Sequence, residues 1–513
     1  MKSLVNLEKK NKIVCDSYQF LNRTHDRKYK ITNMVYDIFI IGGGINGVGI
    51  ARDAAGRGLK IGLCEKGDLA SQTSSWSTKL IHGGIRYLED YQFRLVRESL
   101  KEREVIKKIA SHIVKPIRFV MPHVKSIRPI WIIRLGLLLY DFIGGAITLP
   151  KSKFVYLDKD YNDNPIKENF KIGYEYSDLQ IDDSRLVLIN AQDAISKGAD
   201  FFLNTEIIEA KRVDDYWEIR LSNNQTKYAK TLVNASGPWA VNTIKNICNI
   251  HTNKSLRLVQ GSHIVIKKNY DGEQAYILQQ PDKRIVFIIP YLEKYLLVGT
   301  TDIEVDTFEN PKITDEEVKY LLKACNVFLK KEITRKEIVF SYSGIRPLVN
   351  DFNQKASKVS RDYEFEINDK GPVILTIFGG KLTTYRKLAE HVLESLSKYI
   401  LIEKNSWTSK KNLPGSQGNL DEINIELPKE LTKRLISTYG SNLKNVMKYT
   451  NLLNGLGEKI SDELYEFEVI YLIKEEYAKN SEDILFRRTK IGICFSKDSL
   501  EKLDKVMNRY INN

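Results

Sequence analysis

The sequence predicts an α/β protein built on a Rossmann-like nucleotide-binding domain, with an α+β antiparallel-sheet second domain and an α-helical C-terminal domain. Three observations predict it: a glycine-punctuated strand–turn–helix–strand segment at 36–70, apolar runs of strand length between 262 and 299, and a polar helical pattern beyond about residue 400. The first segment is the most informative. Residues 38–41 are an unbroken apolar run, as expected of a strand covered on both faces of a parallel sheet. Gly42, Gly44 and Gly47 then supply G-x-G-x-x-G. The first glycine permits a tight turn, the second lets backbone approach a pyrophosphate, and the third lets helix and strand pack closely. The helix expected over 45–56 opens with Ile45 and Asn46 and points its positive dipole end at that pyrophosphate. A second apolar strand, 60–64, ends at Glu65, 18 positions beyond Gly47, where a carboxylate reaches a ribose hydroxyl pair. A glycine triplet alone is weak; strand, glycines, helix, strand and acid in register are specific. Glu65 argues against a 2′-phosphorylated dinucleotide and leaves NAD and FAD both open.

The next stretch has a different character. Ser71, Thr73, Ser74, Ser75, Ser77 and Thr78 form a run of hydroxyls that disfavours a helix interior and offers short donors to a phosphate or a flavin edge. Behind them come Lys79, Leu80, His82, the Gly83–Gly84 pair, Arg86 and Tyr87, placing one base, two cations and a phenol within nine residues. Any one of these is ordinary in a polar loop. Together, directly downstream of a nucleotide-binding unit, they mark a candidate reacting end. A comparable signal lies at 373–384, where an apolar strand runs into Gly379, Gly380, Lys381, Leu382, Thr383 and Thr384 with a helix expected to start near Leu382. That arrangement aims backbone N–H groups at an anion, and Lys381 adds a full charge.

Other elements follow from periodicity. A basic amphipathic helix is expected at 93–109, with Phe93, Val96, Leu100, Ile106 and Ile109 on one face and a solvated charged side. Residues 193–197 read as helical, and 200–203 and 217–221 as strands. Residues 262–267, 284–290 and 295–299 fit an antiparallel sheet, and Pro414–Gly415 marks a linker to the helical tail.

Composition bounds the rest. A chain of 513 residues, 42% hydrophobic and 28% charged, buries a large core and accommodates two or three domains. The five cysteines are scattered without C-x-x-C and read as reduced thiols. No metal is expected, because the histidines show no ligand spacing. The formal charge of +14 calls for an anionic partner, yet no nucleic-acid-binding motif is present and the basic residues are dispersed. An anionic lipid surface fits better. The segment 128–150 is the most apolar of the chain, but Arg134 and Asp141 keep its uninterrupted stretch short of the ~20 residues a spanning helix needs. It can lie in the interface, with Trp131 and Tyr140 at headgroup level and Lys115, Arg118, Lys125 and Arg128 near phosphates, or it can be a buried core helix. Residues 1–34 form a Lys-rich extension without a signal-peptide core, expected to be disordered, and Met34 leaves a downstream start open.

Taken in order, the blocks GGGINGVGIARDAAGRG (42–58), TSSWSTKLIHGGIRYLED (73–90), QGSHIVI (260–266), DKRIVFIIP (282–290), VGTTD (298–302), YSGIRPL (342–348) and FGGKLTTYRKLAEH (378–391) resemble the FAD-dependent, quinone-linked glycerol-3-phosphate dehydrogenases. These belong to the glycine-oxidase and D-amino-acid-oxidase structural superfamily, and the resemblance covers about residue 35 to the C-terminus. It implies a discontinuous FAD-binding domain (35–95, 175–258, 345–395), a substrate or cap domain with the membrane-facing segment (96–174, 259–344), and a helical domain (400–513). It implies non-covalent FAD held by the glycine turn, Glu65, the 73–84 segment, Ser236 and Gly237 beneath the adenosine, Gly344, Arg346 and the 379–383 turn. It assigns Arg346 and Arg361 to the substrate phosphate, with Lys381 in support, and Arg86 and Tyr87 to the hydroxyls. His82 is the best candidate base, since an imidazole pKa near ~6.5 suits proton abstraction at neutral pH.

The implied reaction is oxidation of sn-glycerol 3-phosphate to dihydroxyacetone phosphate, with hydride passing from C2 to FAD and electrons to a membrane quinone. The implied place is the cytoplasmic face of the cell membrane, as a peripheral protein without a transmembrane helix. An oxidase that hands electrons to oxygen and releases peroxide is the alternative, and a non-catalytic flavin-binding protein a weaker one. The sequence leaves a homodimer open.

Overall fold

The apolar runs at 38–41 and 61–64 become adjacent parallel strands, because only a position inside a doubly covered sheet buries every side chain of such a run. A computed structural model describes residues 35–145, 147–282, 284–349, 362–417 and 427–511. The N-terminal extension lies outside them. Strand Val35–Ile41 lies between Ile61–Cys64 and Thr226–Asn234, parallel to both. Asp200–Phe202 extends one side and Val373–Gly379 the other, again in parallel. The antiparallel strand Tyr363–Asn368 and the hairpin Ile207–Val213/Tyr216–Leu221 complete an eight-stranded sheet. Helices Ile45–Gly56, Asp183–Ile195 and Tyr385–Leu396 pack on it through Val48, Leu186, Leu388 and Leu393, against Ile38 and Ile40. Each such side chain contributes roughly 1.5–3 kcal/mol on burial. In register, Ile41 pairs with both Asn234 and Cys64, so the strands end together. Ligands bind at that edge in open α/β sheets.

A second sheet of ten strands faces this edge. Its order runs Ile303–Glu304, Leu256–Lys267, Tyr295–Gly299, Ile285–Tyr291, Ala275–Gln279, Val114–Pro122, Ile172–Ile181 and Leu80–Ile81, with Ile338–Val349 and Lys153–Tyr156 paired alongside. One face packs Ile264, Ile288 and Val298 against Leu321 and Phe328. The other packs Phe119, Tyr176 and Ile277 against Leu137 and Tyr140 of helix Ile130–Ile143. Helices Lys429–Tyr439, Leu443–Leu453, Glu466–Lys474 and Lys497–Ile511 form the C-terminal domain around Leu431, Leu435, Leu472 and Met507.

Several expectations need correction. Helix Phe93–Ile109 leaves Phe93 exposed, and its charged side is not simply solvated: Glu102 and Arg103 are buried, paired with Arg386 and Asp178. The helix expected at 193–197 is Asp183–Ile195, opened by Asp182, whose carboxylate accepts from the Arg185 N–H. Strands Val114–Pro122 and Ile172–Ile181 went unread because Lys115, Pro116 and Arg118 break one pattern, and buried Glu175, Ser177 and Asp178 break the other. The boundary expected at 175 therefore falls inside a strand of the second sheet. The Pro414–Gly415 link is packed: a Cβ on Gly415 would lie 2.7 Å from the His112 ring. Tyr140 points inward, 2% exposed, with its hydroxyl on Asp178 at 2.8 Å, so it is not at a surface. Trp131, Leu135 and Phe142 of the same helix are at least 60% exposed. Arg118 and Arg128 pair with Glu175 and Glu89. No helix among the described residues is long and apolar enough to cross a membrane.

Candidate active site

The aligned strand ends open onto a cavity of about 380 Å³ between the two sheets, within the size range of preformed small-molecule sites. The glycine turn forms one wall. Gly42 has φ +110°, and a Cβ there would come 2.7 Å from the Ala235 carbonyl oxygen. A Cβ on Gly47 would come 1.9 Å from the Gly42 oxygen, so helix and turn could not close. Gly44 is the helix N-cap, with no side chain to cover the first turn. Gly44, Ile45 and Asn46 line the cavity, and the Asn46 Oδ1 is buried without a partner among the described residues. Glu65 braces the turn: one oxygen accepts from Gly43 N–H at 2.7 Å, the other from Gly67 N–H at 2.9 Å. Burial pushes its carboxyl upward in pKa, and those two amides oppose the rise.

The hydroxyl run divides in two. Thr73 donates to the Ile345 carbonyl at 2.8 Å, Ser74 accepts from Ile45 N–H at 3.0 Å, and Ser77 donates to Asp183 at 2.7 Å; all three line the cavity. Four expected cofactor contacts do not line it. Gly47 packs behind the turn. Ser75 gives its carbonyl to Lys79, whose buried ammonium also bonds Asp183 at 3.0 Å. Burial lowers the Lys79 pKa to about 8, opposed by Asp183, while the Lys490 charge adds to the fall. Gly83 lies behind the wall, its N–H donating to the Tyr140 hydroxyl at 2.8 Å.

His82, Gly84, Arg86, Tyr87, Arg346, Gly379, Gly380, Lys381, Leu382 and Thr383 all line the cavity, as do Leu80, Ser236, Gly237 and Gly344. The Arg346 guanidinium is held from behind by Asp302 at 2.7 Å, the Thr301 carbonyl at 3.2 Å and the Thr300 hydroxyl at 2.8 Å. The Lys381 ammonium sits 4.0 Å from the Tyr87 ring centroid. His82 N–H donates to the Thr383 hydroxyl at 3.3 Å, tying the two glycine-rich segments together. The helix after Gly380 begins at Tyr385, not near Leu382, because a turn spans 381–384 with Thr384 N–H on the Lys381 carbonyl at 3.2 Å. Arg361 lies outside the described residues.

Thr300, Asp302 and His263 were not read from the sequence as site residues. His263 is buried beside the cavity, its Nε2 3.0 Å from the hydroxyl of lining residue Thr78. Burial, then the Arg346 and Lys79 charges, keep its pKa well below the usual value. The available signal was a polar Gln260–Ser262–His263 interruption in an otherwise apolar strand.

These donors fit an extended dinucleotide. A side-chain-free helix start serves a pyrophosphate, Glu65 stands where a ribose is expected, and Arg86, Arg346 and Lys381 line the same cavity. Residues 37–386 match the family of FAD dependent oxidoreductases, and 377–511 match the C-terminal domain of alpha-glycerophosphate oxidase. Fold, cavity and family define an FAD-dependent oxidoreductase. A glycerol-3-phosphate dehydrogenase of Pseudomonas tolaasii is 44% identical over 93% of this chain and 95% of its own. A D-erythritol 1-phosphate dehydrogenase of Brucella abortus is 42% identical over 88% of this chain and 94% of its own. The FAD complex of a Bacillus halodurans glycerol-3-phosphate dehydrogenase superposes with TM-score 0.69 at 24% identity, covering 95% of this chain and 97% of that one. The chain belongs to the FAD-dependent glycerol-3-phosphate dehydrogenase family.

Proposed function

We propose that the chain oxidises sn-glycerol 3-phosphate to dihydroxyacetone phosphate and passes the electrons to a membrane quinone. The observation that carries this reading is that Arg86, Arg346 and Lys381 line one cavity with Tyr87, whose ring the Lys381 ammonium faces at 4.0 Å. A phosphate dianion calls for more than one cation, and guanidinium forks match its oxygens bidentately. FAD, when bound, supplies the acceptor for the C2 hydride. The chain does the rest. Arg346, with Lys381 and, by resemblance, Arg361, binds the phosphate and holds C2 in place, a positioning gain of several kcal/mol, on the order of known effective molarities. Arg86 and Tyr87 bond the hydroxyls. His82 takes the hydroxyl proton. The 379–383 turn offers backbone N–H groups and the Lys381 charge to negative charge that develops as hydride arrives.

The exposed stripe Trp131, Ile132, Leu135, Leu139 and Phe142 supports a membrane face, since an amphipathic helix of this kind inserts side-on at an interface. It favours quinone over oxygen as acceptor. The test is one preparation in which reduction of a water-soluble quinone analogue and peroxide release are followed together. Quinone reduction with little peroxide is the expected result. Peroxide as the main product makes the chain an oxidase. D-Erythritol 1-phosphate, which also carries a secondary alcohol and a phosphate ester, is included as competing substrate. A higher kcat/KM for it than for sn-glycerol 3-phosphate overturns the substrate assignment.

A further inference from the structure

We infer that residues 487–490 of the C-terminal domain are the outer support of the cofactor cradle, and that their cations set how tightly FAD is held. The cradle wall between strands Ile61–Cys64 and Leu80–Ile81 is the loop 66–79, which contributes Lys66, Ser71, Thr73, Ser74 and Ser77 to the cavity. Two buried carboxylates stand behind that wall. Asp68, within the loop, is 6% exposed; Asp183, at the start of helix Asp183–Ile195, is fully buried.

Both are gripped from the C-terminal domain. Arg487 Nε reaches an Asp68 oxygen at 2.6 Å and Arg488 Nη2 the other at 2.7 Å. Lys490 Nζ reaches Asp183 at 3.1 Å, opposite Lys79 at 3.0 Å and the Ser77 hydroxyl at 2.7 Å. Arg488 also anchors to the Glu476 carbonyl at 2.6 Å, and the Arg487 carbonyl accepts from the Ser184 hydroxyl at 2.8 Å. The π-helical turn Asp483–Arg488 thus brings Arg487 and Arg488 to the back of one loop about 420 positions away, and Lys490, just past its end, reaches Asp183; each of the three is under 9% exposed.

These are not surface ion pairs, whose effect is small. A buried carboxylate that loses its cations must be hydrated or protonated. Water reaches Asp68 when the loop lifts off the C-terminal domain. The same loop is tied to the glycine turn by Ala70 N–H on the Gly43 carbonyl at 3.2 Å and by the Ser74 hydroxyl on Ile45 N–H. Lifting it therefore opens the side of the cradle. Arg487, Arg488 and Lys490 are positioning residues: they act on FAD through Asp68 and Asp183 without touching the cavity.

The experiment reconstitutes full-length apoprotein with FAD, reads the Kd by quenching of flavin fluorescence, and follows amide hydrogen exchange in the holoprotein. Arg488→Met is expected to weaken FAD binding at least tenfold and to speed exchange in 66–79, while helix Lys497–Ile511 stays protected. Arg488→Lys is expected to recover most of the affinity, and the Asp68→Asn/Arg488→Met pair more than Arg488→Met alone. At saturating FAD the substrate KM is expected to change less than twofold. An Arg488→Met protein with FAD affinity within twofold of wild type overturns the proposal. Should that variant not fold, Lys490→Met, which leaves Asp183 with Lys79, decides. Weaker FAD binding with faster exchange near Ser77 supports the proposal, and wild-type values for both overturn it.

Discussion

Arg346 illustrates how far one side chain depends on its backing. Its fork is preset by Asp302, Thr301 and Thr300, and it occupies space that only a glycine at 261 leaves, since a Cβ there would lie 2.2 Å from Nη2. Arg346→Lys keeps the charge and loses the fork. A charge-assisted bond is worth roughly 1.5–3 kcal/mol, so kcat/KM for glycerol 3-phosphate should fall about ten- to hundredfold. Steady-state kinetics check this; a fall below threefold would remove Arg346 from substrate binding. His82→Asn should slow flavin reduction by more than about tenfold, since general-base contributions run from about a hundredfold upward. A smaller effect in stopped-flow measurements would take the proton role away from His82. At this scale His82, Gly84, Arg86 and Tyr87, which line the cavity, stood out because they lie close together in sequence. Lys79 does not line the cavity, and its partner, Asp183, is 104 positions away and so invisible to a local reading. His263, Thr300 and Asp302 were missed because their strands and loop converge on the cavity only in three dimensions.

Elements show which properties sequence periodicity conveys. Helix Ile130–Ile143 was recognisable by composition, but its orientation depended on Tyr140 reaching Asp178, which turns that ring inward and Trp131, Leu135 and Phe142 outward. Leu135→Glu with Phe142→Glu should weaken binding to anionic vesicles by on the order of 3 kcal/mol, about a hundredfold in partitioning. Activity with a water-soluble acceptor should stay within twofold. Unchanged co-sedimentation with vesicles would rule out this helix as the membrane face. The link between helix Phe93–Ile109 and the C-terminal domain makes a different prediction. His112 packs against Gly415 and Gly440, bonds Ser416 at 2.9 Å, and has its pKa lowered to about 4, first by burial and then by the Arg185 charge. The unfolded chain then binds more protons than the folded one between about pH 4 and ~6.5. The contribution is fully present above the unfolded pKa and is lost as pH falls towards 4, by up to about 3 kcal/mol. Urea midpoints measured across this window should rise with pH, and His112→Gln should flatten the slope. An equal slope in both proteins would contradict the assignment.

For the molecule as a whole, the nucleotide-binding unit could be read directly, since strand, turn and helix signals are local and reinforce one another. The interleaving of the second sheet could not. Its strands Val114–Pro122 and Ile172–Ile181 carry prolines and buried charges that break the two-residue alternation, and those charges find partners only across elements. The support of the cradle by Arg487, Arg488 and Lys490 was equally hidden, because a short basic run in a polar helical tail reads as solvated surface. Arg86, Arg346 and Lys381 on the cavity lining present a phosphorylated secondary alcohol to FAD. Anaerobic mixing of the purified holoprotein with sn-glycerol 3-phosphate, followed at the visible absorbance of oxidised flavin, tests it most directly. Rapid bleaching is expected with this substrate and none with glycerol, which has the alcohol but no phosphate. A flavin that stays yellow with the phosphate ester, or bleaches equally with glycerol, would contradict it.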